Sequence, residues 1–74
     1  MQTRVLRLNY PPSLLNQPII NKLIKRFEIA INIRQAHITP EEGWLEILTT
    51  GDEKNIEQAI AWLEEEGIEV VLID

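Results

Sequence analysis

One asparagine among isoleucines is the side chain whose type and place best suit binding chemistry in this sequence. Residues 27–38 read FEIAINIRQAHI, and Asn32 interrupts the alternation Ile29, Ile31, Ile33. A carboxamide carries both N–H donors and a carbonyl acceptor, so Asn32 can read the carboxylate and the ammonium of a free amino acid, or a stretch of backbone. The neighbouring isoleucines, Ile33 first among them, would supply apolar walls. On spacing alone the same asparagine also reads as an exposed edge residue without a partner.

No catalytic constellation assembles around it. His37 is the sole histidine and cysteine is absent, so a nucleophile–base pair would have to use Ser13, which sits in no nucleophile motif. His37 reads instead as a strand residue near a hairpin. The run Glu64-Glu65-Glu66 does not make a metal site, because consecutive helical residues point about 100° apart and cannot converge on one ion. With no cysteine there is no disulfide, thiolate metal site or iron–sulfur cluster. The chain is expected to be no enzyme and to carry no cofactor.

Composition narrows the partners. The formal net charge is −5, and the distribution is lopsided: residues 1–37 hold six basic groups against Glu28, and residues 38–74 hold eleven acids against Lys54. Phosphate binding is led by Lys and Arg, so no nucleic-acid partner is expected. A basic helix beside an acidic one gives solvated faces, or head-to-tail pairing between copies. The start, MQTRVLRLNYPP, lacks the pattern of a signal peptide, and no apolar run approaches the roughly 20 residues of a membrane span. A cytoplasmic protein without membrane insertion is expected, either small and complete or one excised domain.

The elements that must position Asn32 follow from periodicity. Residues 4–9 form a first strand that Pro11 and Pro12 close, since proline cannot donate to a ladder. Pro18 suits the first helical position, with Asn16 or Gln17 as cap. Ile20, Leu23, Ile24 and Phe27 then line one helix face at i, i+3, i+4 and i+7. Residues 29–38 alternate as a second strand, but the apolar parity slips from odd to even after Ile33, which predicts a bulge near Arg34 and Gln35. Residues 40–43 turn a hairpin into a third strand, 44–50, with Leu45 and Ile47 inward. Gly51-Asp52 breaks that strand, and Asp52 is placed to cap a second helix. Its apolar face is Ile56, Ala59, Ile60 and Leu63, and Gly67 stops it. Residues 68–73 form the last strand.

The order β, α, β, β, α, β with two right-handed crossovers predicts an α+β, ferredoxin-like sandwich. It has a four-stranded antiparallel sheet in order 4-1-3-2 and both helices on one face. Asn32 then lies on an edge strand. The helix-free face carries Trp44, Leu48, Val71 and Ile73, an apolar set expected to be covered by a second copy or another partner. The fold hosts other activities, but their marks are missing. There is no anion-cradling glycine-rich loop after the first strand, and the central strands offer one aromatic where an RNA-recognition domain stacks several.

The tripeptide Asn32-Ile33-Arg34 follows the first helix, and around it stand GWLEILTTGD and IEQAIAWLEEEGIEV. In this order of elements the chain resembles the NIL domain across essentially its whole length, 1–74. That domain is named for an Asn-Ile-Leu tripeptide and occurs mainly at the C-terminus of the ATPase subunit of bacterial methionine-import ABC transporters. The resemblance implies a regulatory domain that forms a homodimer and binds methionine near the pair interface, with Asn32 as the ligand contact. It also implies a transporter or other protein partner. Arg34 departs from the family's leucine and puts a charge beside the expected site. No G-x-x-x-x-G-K-[ST] motif occurs, so the chain is not the ATPase itself. The alternative is an assembly or adaptor domain that works through the open sheet face without a ligand.

Overall fold

Two prolines, a parity slip and one left-handed glycine set the frame on which Asn32 sits. The computed structural model describes residues 1–74. Strand β1 spans Gln2–Tyr10 and runs into a short 3-10 turn at Pro12–Leu14; helix α1 spans Ile19–Arg26. Strands β2 (Ile29–Ile38) and β3 (Gly43–Gly51) form the hairpin, followed by helix α2 (Glu53–Glu66) and strand β4 (Glu69–Leu72). All pairings are antiparallel in the order β2-β3-β1-β4, which is the expected 4-1-3-2.

The core lies between the sheet and the helix layer. Leu6 and Leu8 of β1 stand opposite Ile47 and Leu45 of β3, and these four pack with Ile19 and Leu23 of α1 and with Ala59 and Leu63 of α2. Full burial of one such aliphatic side chain is worth about 1.5–3 kcal/mol, so this layer is what selects the strand register. Thr49 is the one buried polar side chain, and its hydroxyl donates to the Arg4 carbonyl at 3.0 Å.

The parity slip in β2 is a bulge. Ile33 pairs with Ile47 and Gln35 with Glu46, so Arg34 is the extra residue. Beyond it Ala36 and Ile38 return to the helix side of the sheet. The hairpin is held by Thr39, whose hydroxyl accepts from the amides of Glu41 and Glu42 at 3.3 and 3.1 Å. At the end of α2, Gly67 adopts φ 102°, and the amides of Gly67 and Ile68 return to the carbonyls of Glu64 and Leu63. Ile68 is thereby turned into the core.

Several local expectations are corrected. Helix α1 starts at Ile19; Pro18 precedes it, with its carbonyl accepting from Lys22, and no side chain caps the helix. Ile19 takes the core position, while Ile24 is 49% exposed because the buried face is narrow and centred on Ile19 and Leu23. Asp52 stands at the N-cap of α2, but only its backbone carbonyl is used, by the Ile56 amide. Strand β3 continues through Gly51, which pairs with Gln2 and Ile29, and β1 is longer than expected at both ends.

Candidate functional site

Asn32 and Ile33 sit on the same edge strand but on opposite faces of the sheet. Asn32 stands directly across from Leu48 on the helix-free face, and its side chain has no hydrogen-bond partner within the chain. Ile33 faces the helix side across from Ile47 and is 56% exposed, whereas Ile29 and Ile31 of the same strand pack against the core. The apolar neighbour of the Asn32 amide is therefore Leu48. Ile31 and Ile33 turn away from it.

Register places Trp44, Leu48 and Val71 on the same face as Asn32, and Ile73 lies just past the end of β4, its amide donating to the Val5 carbonyl. Leu48 pairs with Val5 of β1, Arg7 pairs with Val71 of β4, and Asn9 pairs with Trp44. Leu48 and Trp44 are half-buried, and Val71 and Ile73 are exposed at 39% and 51%. Val5 lies in the same apolar half and is buried, at 5% exposure. Its odd position beside Arg4 and Arg7 hid it from a reading by periodicity, although its parity assigns it to this face. The structure thus brings Asn32, Leu48 and Val5 into one row across three strands.

A polar and aromatic band crosses the hairpin end of the same face. Glu69 accepts from Asn9 at 2.7 Å, Asn9 accepts from Arg7 Nε at 3.2 Å, and the Arg7 guanidinium carbon lies 4.2 Å from the Trp44 ring centroid. On its other side Trp44 stacks on His37, with centroids 6.0 Å apart and planes 24° from parallel. His37 Nε2 lies 3.4 Å from Glu42 Oε1. Cation–π contact at such a half-buried site contributes about 0.5–1 kcal/mol. The signal for it in the sequence is positional: His37 and Trp44 flank the hairpin turn on the same face once the bulge is counted.

Between the two halves lies Arg34, whose Nε is 3.8 Å from Glu46 Oε2. An unpartnered amide, an apolar floor at Leu48 and an adjacent cation and anion share one face at the β2 edge. Such a set can bind a small molecule that has an apolar part and both charges. No group of three or more His, Asp or Glu side chains is placed to hold a metal, and no helix is long and apolar enough to cross a membrane.

Comparison with known proteins places these features in a family context. The family model of the NIL domain matches residues 4–71. An uncharacterised protein of Synechococcus elongatus is 32% identical over 73 residues, covering 95% of this chain and 90% of that protein. The methionine import ATP-binding protein MetN of Burkholderia thailandensis is 36% identical over 70 residues; the match takes 89% of this chain and 20% of the relative, so the chain corresponds to about a fifth of that protein. Among solved structures, the C-terminal domain of an ABC transporter ATP-binding protein from Enterococcus faecalis superposes with a TM-score of 0.84 at 27% identity. That match covers 95% of this chain and 82% of the other.

Proposed function

Because the chain belongs to the NIL domain family, we propose that it is a non-catalytic, cytoplasmic regulatory module that senses methionine or a similar apolar amino acid at an interface between two copies. The observation that carries this reading is Asn32, an amide with no partner of its own, set across from Leu48 at the uncovered edge of the sheet. In this reading Asn32 fixes the polar end of the amino acid, Leu48 receives its side chain, and the Arg34–Glu46 pair offers a charge to each end. Ile33 follows Asn32 on the same strand and adds apolar surface at the β2 edge where the ligand would lie. Binding without a coupled output regulates nothing, so the module acts through a protein partner such as a transporter subunit. The relative that carries this module beside an ATP-binding region is named for methionine import, which favours methionine among apolar amino acids.

Calorimetric titration with free methionine tests the reading. Saturable heat is expected from the parent chain, and a loss of about tenfold or more in affinity from Asn32→Ala, since a hydrogen bond to a charged group is worth about 1.5–3 kcal/mol. An absence of heat at millimolar methionine, or equal binding by the variant, overturns it.

A second reading is a ligand-independent assembly domain. The apolar residues of the open face, Trp44, Leu48, Val71 and Ile73, favour it, because that surface suits a partner whether or not a ligand lies beneath. It predicts self-association or a partner complex that methionine leaves unchanged.

A further inference from the structure

On the helix side of the sheet, at the edge opposite β2, a niche of about 170 Å³ opens between α2 and the β1–β4 pair. It is below the roughly 300 Å³ at which drug-sized pockets begin, so it takes one small molecule. Ile56, Ile60 and Leu72 form its apolar wall, and Arg4, Glu53 and Glu57 its polar rim. Ile56 is 3% exposed, whereas Leu72 is 57% exposed and leaves the niche open to one side.

The rim is charged but its hydrogen-bonding groups are not satisfied. Arg4 is pinned through its backbone, which lies opposite Thr49 in the ladder and accepts the Thr49 hydroxyl. Its guanidinium Nη2 lies 3.8 Å from Glu53 Oε1, well beyond the 2.7–2.9 Å of a charge-assisted hydrogen bond. Both groups therefore keep hydrogen-bonding capacity, and Glu57 adds a second carboxylate one helical turn along. A cation and an anion this close match the two charges of an α-amino acid, which are carried on either side of a single carbon. The aliphatic wall matches an apolar side chain.

The geometry points to a second binding site here, for a free α-amino acid with an apolar side chain. Its carboxylate is held by Arg4, its ammonium by Glu53 and Glu57, and its side chain lies against Ile56, Ile60 and Leu72. This site is independent of Asn32, which lies on the other face of the sheet and on the opposite edge strand.

Backbone-amide NMR of the Asn32→Ala chain, titrated with L-leucine, tests it apart from the first site. Saturable shifts are expected at Arg4, Ile56, Ile60 and Leu72. They should require at least fivefold more of either half-molecule, 4-methylpentanoate without the ammonium or 3-methylbutan-1-amine without the carboxylate, since each forgoes one charged contact of the roughly tenfold kind. Arg4→Gln should weaken leucine about tenfold. Glu57→Gln should weaken leucine and the amine while leaving 4-methylpentanoate unchanged, and it serves as the readout if the Arg4 variant loses its dispersed spectrum. Shifts that do not saturate, that fall around Leu48 in place of the niche, or that are equal for leucine and its halves overturn the site. Failure of methionine to bind at Asn32 leaves this outcome unaffected.

Discussion

Arg34 and Glu46 face one another at the bulge of β2, Nε to Oε2 at 3.8 Å, with Arg34 the residue that has no partner on β3. The arginine that stands in place of the family's leucine therefore does not bring an unmatched charge to the face that holds Asn32. The bulge turns it toward a carboxylate already there, and the Arg34 side chain stays half in water while Glu46 is 20% exposed. A leucine at the same bulge would leave Glu46 without this cation.

Arg34→Leu is expected to change the unfolding free energy by less than about 1 kcal/mol, because the pair is solvent-exposed on the arginine side and long. The change should shrink further at high salt, where exposed charges are screened. Denaturant unfolding of the parent, Arg34→Leu, Glu46→Gln and the double variant measures the coupling. A coupling above about 2 kcal/mol would contradict the exposed, loose pair described above.

The open face supplies the next expectation. Leu48→Lys with Val71→Lys places two like charges diagonally across β1 on the apolar half of the open face. If two copies meet through this face, sedimentation velocity should show the parent as a dimer and the double variant as a folded monomer. A parent that stays monomeric at high concentration would remove the face as a self-association surface. A dimer that survives both lysines would move the interface elsewhere, and the long uncovered edge of β2 is then the surface to disrupt.

Much of this arrangement is legible in the residue pattern of β2 and α2. The parity of Ile29, Ile31 and Ile33 against Ala36 and Ile38 marked both the edge strand and its bulge, because a one-residue insertion must move every later side chain to the other face. Gly67 marked the end of α2 for an equally local reason. What periodicity did not give was set by the packing of whole elements. Ile24 matches the apolar spacing of α1, but an eight-residue helix resting on Ile19 and Leu23 leaves that flank uncovered. The Arg7–Trp44–His37 stack joins three strands and becomes visible only once the register is known. The placement of Asn32 was readable, whereas the floor it faces, Leu48, depended on the strand pairing.

Gly67→Ala should destabilise the fold by about 1–2 kcal/mol. The position has φ 102°, which an L side chain rarely adopts, and an added Cβ would also come within 3.3 Å of Leu14 Cδ1. The cost should appear in the unfolding midpoint with the denaturant slope unchanged, since the native surface is the same. A neutral Gly67→Ala would mean that the last turn of α2 rearranges without loss, and that the return of Ile68 into the core does not depend on the left-handed cap.

Tyr10 gives the chain a stability loss at alkaline pH. Burial at the end of β1, against the core and across from Gly43, raises the phenol above its ordinary value of about 10. The folded chain thus keeps the phenolic proton over a range in which the unfolded chain has already released it. Below pH 10 both states are protonated and the full contribution is present; as pH rises from 10 through the folded value, the unfolded state is increasingly favoured and stability falls. Tyr10 is the sole tyrosine, so the ultraviolet absorbance of tyrosinate follows this one group. It should titrate above 10 in the folded chain and near 10 in denaturant. The decisive comparison is Tyr10→Phe, whose unfolding free energy should decline less steeply with pH than that of the parent. Identical slopes for the two chains would show that the phenol is equally hydrated in both states, contrary to its burial against the core.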